Sequence, residues 1–82
     1  MKVYLMRVEY GNARRRWAAC SEGTKSNPGR FLLGSDRSTK ENIITKFKED
    51  TGGEINMLAT LPGLFTPSEA SVRASSITHG GE

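Results

Sequence analysis

The pattern of a β-hairpin over residues 2–21 constrains the fold more than any other feature of this 82-residue chain. Residues 2–10 are rich in β-branched and aromatic side chains, which favour a strand. Gly11 and Asn12 follow, and both tolerate the positive φ that a two-residue hairpin turn requires. A second strand over residues 13–21 then returns beside the first. The chain is therefore expected to build a sheet around this hairpin.

A two-residue turn sets the register of the hairpin and assigns each side chain to one face. The pairs on the face expected to form the core are Met6 with Trp17, Tyr4 with Ala19, Val8 with Arg15 and Tyr10 with Ala13. The opposite face carries Arg7, Arg14 and Arg16 near the hairpin tip. Because side chains alternate along a strand, a slip of one residue would exchange the two faces. This register is favoured because it gives Trp17 apolar neighbours.

The rest of the chain consists of short elements separated by turn-forming residues. Residues 21–29 are almost all turn formers and predict a flexible loop. The predicted elements that follow are a strand over 30–34, a helix over 39–51, a strand over 54–61 and a short helix over 67–76. Capping boxes beginning at Ser38 and Thr66 predict where the helices start. Glycines 52–53 are expected to end the first helix, and the Pro-Gly pair at 62–63 to end the fourth strand.

These elements predict an α+β fold in a single small domain. The expected architecture is a mainly antiparallel sheet of three to four strands in the order β-β-β-α-β, with one helix packed on one face. The compact domain should span residues 1–66. For residues 67–76 two alternatives stay open, a short helix anchored by Val72 or a disordered tail, because serines dilute the packing surface. Residues 77–82 are expected to be disordered.

Basic charge is concentrated in the first half of the chain. Nine of the twelve Lys and Arg residues lie in residues 1–40, whereas residues 41–82 carry more acidic than basic side chains. Such a field attracts phosphate backbones or acidic protein surfaces. The candidate binding residues are Arg7, Arg14, Arg15, Arg16, Lys25, Arg30 and Arg37. The alternative is that Glu9 pairs with Arg14 and the other arginines only solvate an exposed sheet face.

The sequence offers little for catalysis or for a cofactor. His79 is the only histidine and lies near the C-terminus, and Cys20 stands among small apolar residues that suggest packing rather than nucleophilic chemistry. No Cys/His spacing suits zinc, no acidic loop suits calcium, and no glycine-rich loop precedes a helix. Tyr4 and Tyr10 lie on a hairpin, as in GIY-YIG nucleases, but the tripeptides typical of that group are missing. We expect no enzyme, no metal site and no cofactor.

Two functions fit a non-enzymatic basic domain of this kind. Three strands followed by a helix, with an arginine-rich ribbon, resemble over residues 2–50 the arm-type DNA-binding domains at the N-termini of phage integrases, although the strand at 54–61 departs from that plan. The resemblance implies nucleic-acid binding by the ribbon, which is narrow enough to enter a B-DNA major groove. The alternative is a small inhibitor or adaptor of a mobile genetic element, of the anti-CRISPR or another anti-defence type, that docks on an acidic protein surface. Leu64 and Phe65 would then add an apolar contact.

Nothing in the sequence indicates export or membrane insertion. The single cysteine allows no internal disulfide, and no apolar run approaches the roughly 18–20 residues of a membrane helix. The first residues lack the features of a signal peptide. We therefore expect a cytoplasmic protein without a membrane partner. A homodimer built on a sheet edge or on residues 61–65 is an open alternative, since it would enlarge a modest core.

Overall fold

Strand β1, Lys2–Tyr10, lies inside the sheet and pairs with a neighbour on each side. The computed structural model describes residues 1–11 and 14–77, and within these ranges it contains four strands and two helices. The elements after β1 are β2 (Arg14–Ser21), β3 (Phe31–Leu33), α1 (Lys40–Thr51), β4 (Met57–Phe65) and α2 (Pro67–Ser76). The strands lie in the order β3-β2-β1-β4, with β4 parallel to β1 and the other pairs antiparallel. The predicted α+β class and element order are confirmed.

Both faces of the sheet are buried, each beneath one helix. The core on the α1 side consists of Val3, Leu5, Ala19, Ile43 and Phe47, and the core on the α2 side consists of Met6, Val8, Ala18, Cys20 and Ala70. Successive residues of β1 therefore enter opposite cores, which explains why residues 3–6 form an uninterrupted apolar run. The sequence predicted one helix on one face, whereas the structure has a helix on each.

The register of the hairpin differs from the prediction by one residue. Met6 pairs with Ala18 rather than Trp17, and Tyr10 pairs with Arg14, so three residues rather than two separate the paired strands. The predicted register assumed that only one face is apolar. Because each face has its own core, both registers bury apolar side chains, and alternation alone does not choose between them.

This shift changes which arginines share a face. Trp17 lies directly opposite Arg7, and Arg15 follows on the same side of the sheet as α1. Arg14 and Arg16 lie on the side of α2. The expectation that Arg7, Arg14 and Arg16 share one face is therefore wrong, and the basic side chains are distributed over both faces of the ribbon.

The N-cap of helix α1 lies one residue later than predicted. The hydroxyl of Thr39 accepts the Asn42 N–H at 3.2 Å, so Thr39 rather than Ser38 is the N-cap. The Ser38 hydroxyl is engaged in the preceding turn, where it accepts the Ser35 N–H at 3.1 Å. The helix ends as predicted, at Gly52, whose φ of 63° is the left-handed conformation that glycine adopts without steric cost.

Helix α2 resolves the alternatives left open for residues 67–76. Its capping box is formed: the Thr66 hydroxyl accepts the Glu69 N–H at 3.2 Å, and a Glu69 carboxylate oxygen accepts the Thr66 N–H at 2.9 Å. Ala70 is the buried anchor, whereas Val72, the predicted anchor, is 68% exposed. Ile77 also packs against the α2-side core, although the sequence predicted disorder from this residue onward.

Strand β4 continues through the Pro-Gly pair that was predicted to end it. The register with β1 runs from Met57 to Thr60 and resumes at Leu64, so residues 61–63 include a bulge. β4 lies at the edge of the sheet, where proline is tolerated because its missing N–H interrupts no inner ladder. Gly63 has a φ of 101°, which a residue with a side chain rarely adopts, and this glycine allows the strand to resume.

The segment predicted as a flexible loop is held to the sheet by backbone hydrogen bonds. The Ser21 N–H donates to the Arg30 carbonyl at 2.9 Å, and the Arg30 N–H donates to the Ser21 hydroxyl at 3.0 Å. The Gly23 N–H donates to the Ile77 carbonyl at 3.1 Å, which ties the segment to the end of α2. A Cβ on Gly29 would overlap the Ser21 carbonyl oxygen, so this close approach requires glycine.

Candidate nucleic-acid interface

The hairpin extends past its neighbours at one end of the sheet and forms a two-stranded ribbon there. The ladder between β1 and β4 ends at Val8 and Phe65, and the ladder between β2 and β3 ends at Ala18 and Leu33. Pairing of β1 with β2 continues beyond both points, as far as Tyr10 and its partner on β2. The consecutive arginines 14–16 therefore lie on a segment that the flanking strands do not cover.

On the α1 side of this ribbon, two cations lie against the Trp17 ring. The Arg7 guanidinium carbon is 5.3 Å from the ring centroid, and the Lys40 ammonium nitrogen is 5.8 Å from it. Both distances are within the range of a favourable cation–π contact. Lys40 is the first residue of α1, where the helix dipole disfavours a cation, so its position beside Trp17 offsets an unfavourable location.

On the α2 side of the ribbon, Arg16 stacks on an aromatic ring and Arg14 forms an ion pair. The Arg16 guanidinium carbon lies 4.6 Å from the centroid of the Tyr10 ring. The Arg16 Nε atom is buried and has no hydrogen-bond partner among the described residues. Arg14 pairs with Asp36 at 3.3 Å rather than with Glu9, and both side chains are well exposed. An exposed pair of this kind contributes little to stability and is readily exchanged for another anion.

Six basic residues are thus assembled at one end of the molecule, which we call the basic end. They are Arg7, Arg14, Arg15, Arg16, Arg37 and Lys40. Arg37 belongs to this group because it follows Asp36 in the turn beside the ribbon, where its N–H donates to the Ser35 hydroxyl at 3.3 Å. Sequence reasoning missed Lys40, whose only signal was a cation at a helix start, since its contact with Trp17 depends on how α1 packs across the sheet.

Two of the predicted binding residues lie elsewhere. Arg30 bonds to Ser21, which pairs with Val3, and Lys25 lies in the turn that follows Ser21. At about 3.3 Å per residue, Val3 and Tyr10 are about 23 Å apart along β1. Lys25 and Arg30 therefore lie at the opposite end of the sheet from the hairpin tip and are not part of the basic end.

At the end opposite the ribbon, one carboxylate binds two neighbouring side chains. Glu22 accepts a hydrogen bond from the Tyr4 hydroxyl at 2.9 Å and pairs with Lys2 at 3.8 Å. The bond to the Glu22 carboxylate, together with burial, raises the pKa of Tyr4. At the basic end, Arg7 and Arg16 instead stack on aromatic rings, and Arg15 is exposed.

The two apolar residues proposed for partner contact have different environments. Phe65 packs against the α2-side core, so it contributes chiefly to folding. Leu64 is 41% exposed and lies beside Arg7 in the ladder between β4 and β1. Only Leu64 is therefore well placed to contact a partner together with the basic end.

The remaining chemical groups do not form a second site. Cys20 is fully buried, and burial raises the pKa of its thiol to about 11. In the described part of the chain, no three His, Cys, Asp or Glu side chains are grouped to hold a metal ion. None of the helices formed by residues 1–11 and 14–77 is long and apolar enough to cross a membrane. Asn12, which was predicted to form the hairpin turn, and residues 78–82, which include His79 and were predicted to be disordered, lie outside the described residues.

Comparison of the chain with protein-family models, with curated proteins and with solved structures finds no match.

Proposed function

We propose that this protein is a non-enzymatic module that binds nucleic acid through the basic end. The observation that carries the proposal is the convergence of Arg7, Lys40 and the consecutive arginines 14–16 on a ribbon that extends past the sheet. Guanidinium groups bind phosphate oxygens in a bidentate manner, and stacking on a ring holds them in place without using their N–H donors. Arginines on both faces of the ribbon allow contacts to phosphates on either side of it.

Contact with the phosphate backbone, rather than stacking of bases, is the mode that this site supports. The Trp17 and Tyr10 rings are partly buried, and each already faces a cation. Single-strand binders instead present free aromatic faces on which bases stack. Binding by this protein should therefore depend strongly on salt, because each phosphate contact releases a condensed counterion.

A protein target with an acidic surface is the second candidate. Leu64 favours it, because an exposed apolar side chain beside Arg7 would provide an anchor next to a charged contact. In this alternative the protein would act as an inhibitor or adaptor, as the anti-defence proteins of mobile elements do. Both candidate functions use the same arginines, but only docking on a protein should depend on the side chain of Leu64.

Two charge-matched double variants test the proposal. Arg7→Ala with Arg15→Ala removes two exposed cations from the basic end, and Lys25→Ala with Arg30→Ala removes two exposed cations from the far end. Fluorescence anisotropy with labelled duplex DNA, duplex RNA and single-stranded DNA measures binding over a range of salt concentrations. The first variant should bind more weakly, and the slope of log affinity against log salt should fall by about two. The second variant should bind like the wild type.

Two results would contradict nucleic-acid binding at this site. One is the absence of binding by the wild-type protein at low salt. The other is an equal loss in both double variants, which would indicate a response to net charge rather than to the basic end. A Leu64→Ala variant separates the two candidate functions, since phosphate contact should tolerate it and docking on a protein should not.

A further inference from the structure

The outer edge of β4 is the least protected part of the sheet. β4 is a nine-residue edge strand, whereas the opposite edge is formed by the three residues of β3. Proteins commonly protect long edges with charged side chains, because an unpaired edge offers N–H and C=O groups to another strand. Here the sequence has no Asp, Glu, Lys or Arg from Ile55 to Ser68. Only the bulge at residues 61–63 interrupts this edge.

Apolar side chains accompany these unpaired backbone groups. Met57 and Leu58 are 44% and 45% exposed, and Leu64 at the other end of the strand is 41% exposed. Thr60 is also exposed. A strand that paired with this edge would satisfy its backbone groups and cover these side chains at the same time.

We propose that β4 pairs antiparallel with β4 of a second copy of this chain, about a two-fold axis at Ala59. In this register Met57 of each copy lies opposite Leu61 of the other, and Leu58 lies opposite Thr60. The occupant of the edge must be extended, uncharged and apolar, and β4 itself has these properties. A two-fold arrangement also needs only one self-complementary surface, as in most homodimers.

The charge distribution favours antiparallel pairing of two copies. β4 runs parallel to β1, so the basic end lies at the C-terminal end of both strands. Parallel pairing would place two basic ends side by side. Antiparallel pairing instead brings Glu54, exposed just before β4, toward the strand end where Leu64 and Arg7 of the other copy lie. Opposite charges then approach each other across the interface.

The size of the surface determines the strength expected of the dimer. A single strand edge with a few apolar side chains buries less than a standard interface of about 1,600 Å². We therefore expect a monomer at low micromolar concentration and a dimer at high micromolar concentration. The dimer directs its two basic ends in opposite directions.

Two double variants of the full chain test both the surface and its register. Leu58→Lys with Thr60→Lys places lysine opposite lysine at two sites of the interface, and Leu58→Lys with Thr60→Glu places lysine opposite glutamate at both. Ser71→Lys is the control for added charge, because Ser71 is an exposed residue of α2 that lies beside Phe31, toward the opposite edge of the sheet. Sedimentation equilibrium gives the mass of each protein over a wide concentration range. Far-UV circular dichroism and thermal melting show whether each variant is folded.

The wild type and the Ser71 control should approach twice the 9.0 kDa monomer mass at high concentration. The lysine–lysine variant should stay at the monomer mass, and the lysine–glutamate variant should recover the doubled mass. A wild type that stays monomeric would overturn the proposal. A strand of another protein would then be the alternative occupant of the β4 edge. A lysine–lysine variant that is folded and still dimerises would overturn it as well, because another surface would then form the dimer.

Discussion

Cys20 illustrates how the interior of this sheet controls the chemistry of a single side chain. It lies on β2, is fully buried in the α2-side core, and has no group among the described residues that stabilises a thiolate. Burial disfavours the charged form and raises its pKa from 9.0 to about 11. The thiolate is the reactive form of cysteine, so this residue contributes packing rather than nucleophilic or metal-binding chemistry.

This raised pKa predicts a loss of stability at alkaline pH. Between about pH 9 and pH 11 the unfolded chain releases the Cys20 proton while the folded protein keeps it, so the free energy of unfolding should fall as pH rises. One such group can lower the free energy of unfolding by at most about 1.4 kcal/mol per pH unit. The pKa of Tyr4 is also raised, so its titration should lower the free energy of unfolding further at higher pH.

Comparison of the wild type with Cys20→Ala isolates the contribution of the thiol. Urea denaturation at several pH values gives the free energy of unfolding of both proteins. Below pH 9 the variant should be less stable by a constant amount, because the smaller side chain leaves a cavity. Above pH 9 the two curves should converge. Parallel curves up to pH 11 would show that folding does not raise the pKa of Cys20.

At the level of elements, the start of α2 depends on the capping box at Thr66. Thr66→Ala removes the hydroxyl that accepts the Glu69 N–H and should lower the free energy of unfolding by about 1 kcal/mol. Ser71→Ala is the matched control, since it removes a hydroxyl from an exposed position in the middle of the same helix. Chemical denaturation measures both. An equal loss in the two variants would mean that the capping geometry has no specific effect.

The same capping box has a pH dependence of its own. Hydrogen bonds to the Glu69 carboxylate from Thr66, first from its backbone N–H and then from its side chain, lower the pKa of Glu69. The bonded carboxylate therefore stabilises the helix above the ordinary glutamate pKa, and this contribution is lost as pH falls through the lowered value. The difference in stability between the wild type and Glu69→Gln should accordingly shrink in acid.

The helices could be predicted from sequence because caps and stop signals are local. Thr66, Pro67 and Glu69 suffice to define the start of α2, and Gly52 suffices to define the end of α1. The hairpin register could not be predicted in the same way. Gly11 fits the start of either a two-residue or a three-residue connection, and apolar residues on both faces of β1 remove the alternation that would have decided between them.

For the whole molecule, the part of the candidate site that is contiguous in sequence could be predicted, whereas the part that depends on the fold could not. The consecutive arginines 14–16 were identified because they are neighbours in sequence. Lys40 was not predicted to lie near these arginines, and Lys25 and Arg30 lie at the far end of the sheet, because only the path of the chain decides which end each residue reaches. The predicted end of β4 at residue 61 was too early for a related reason. Pro-Gly ends an inner strand, but an edge strand accommodates it through a bulge.

The arrangement of two helices around one sheet predicts that residues 1–66 do not fold alone, contrary to the domain boundary suggested by the sequence. Removing α2 would expose the α2-side core, in which Met6 and Val8 are almost completely buried beside Ala70. Each such large side chain contributes about 1.5–3 kcal/mol when buried. A domain of this size has only a few kcal/mol of net stability, so losing two of these contributions should abolish the folded state.

A chain of residues 1–77 is the control for this truncation, since it keeps α2 and the contact between Gly23 and Ile77. It should melt cooperatively, with the near-UV circular dichroism of a packed Trp17. The chain of residues 1–66 should lose both properties and bind a dye that detects exposed apolar surface. A cooperative melt of residues 1–66 would show instead that the α1-side core sustains the fold without help. In that case α2 would be an accessory layer, and the sheet face beneath it would be available to a partner.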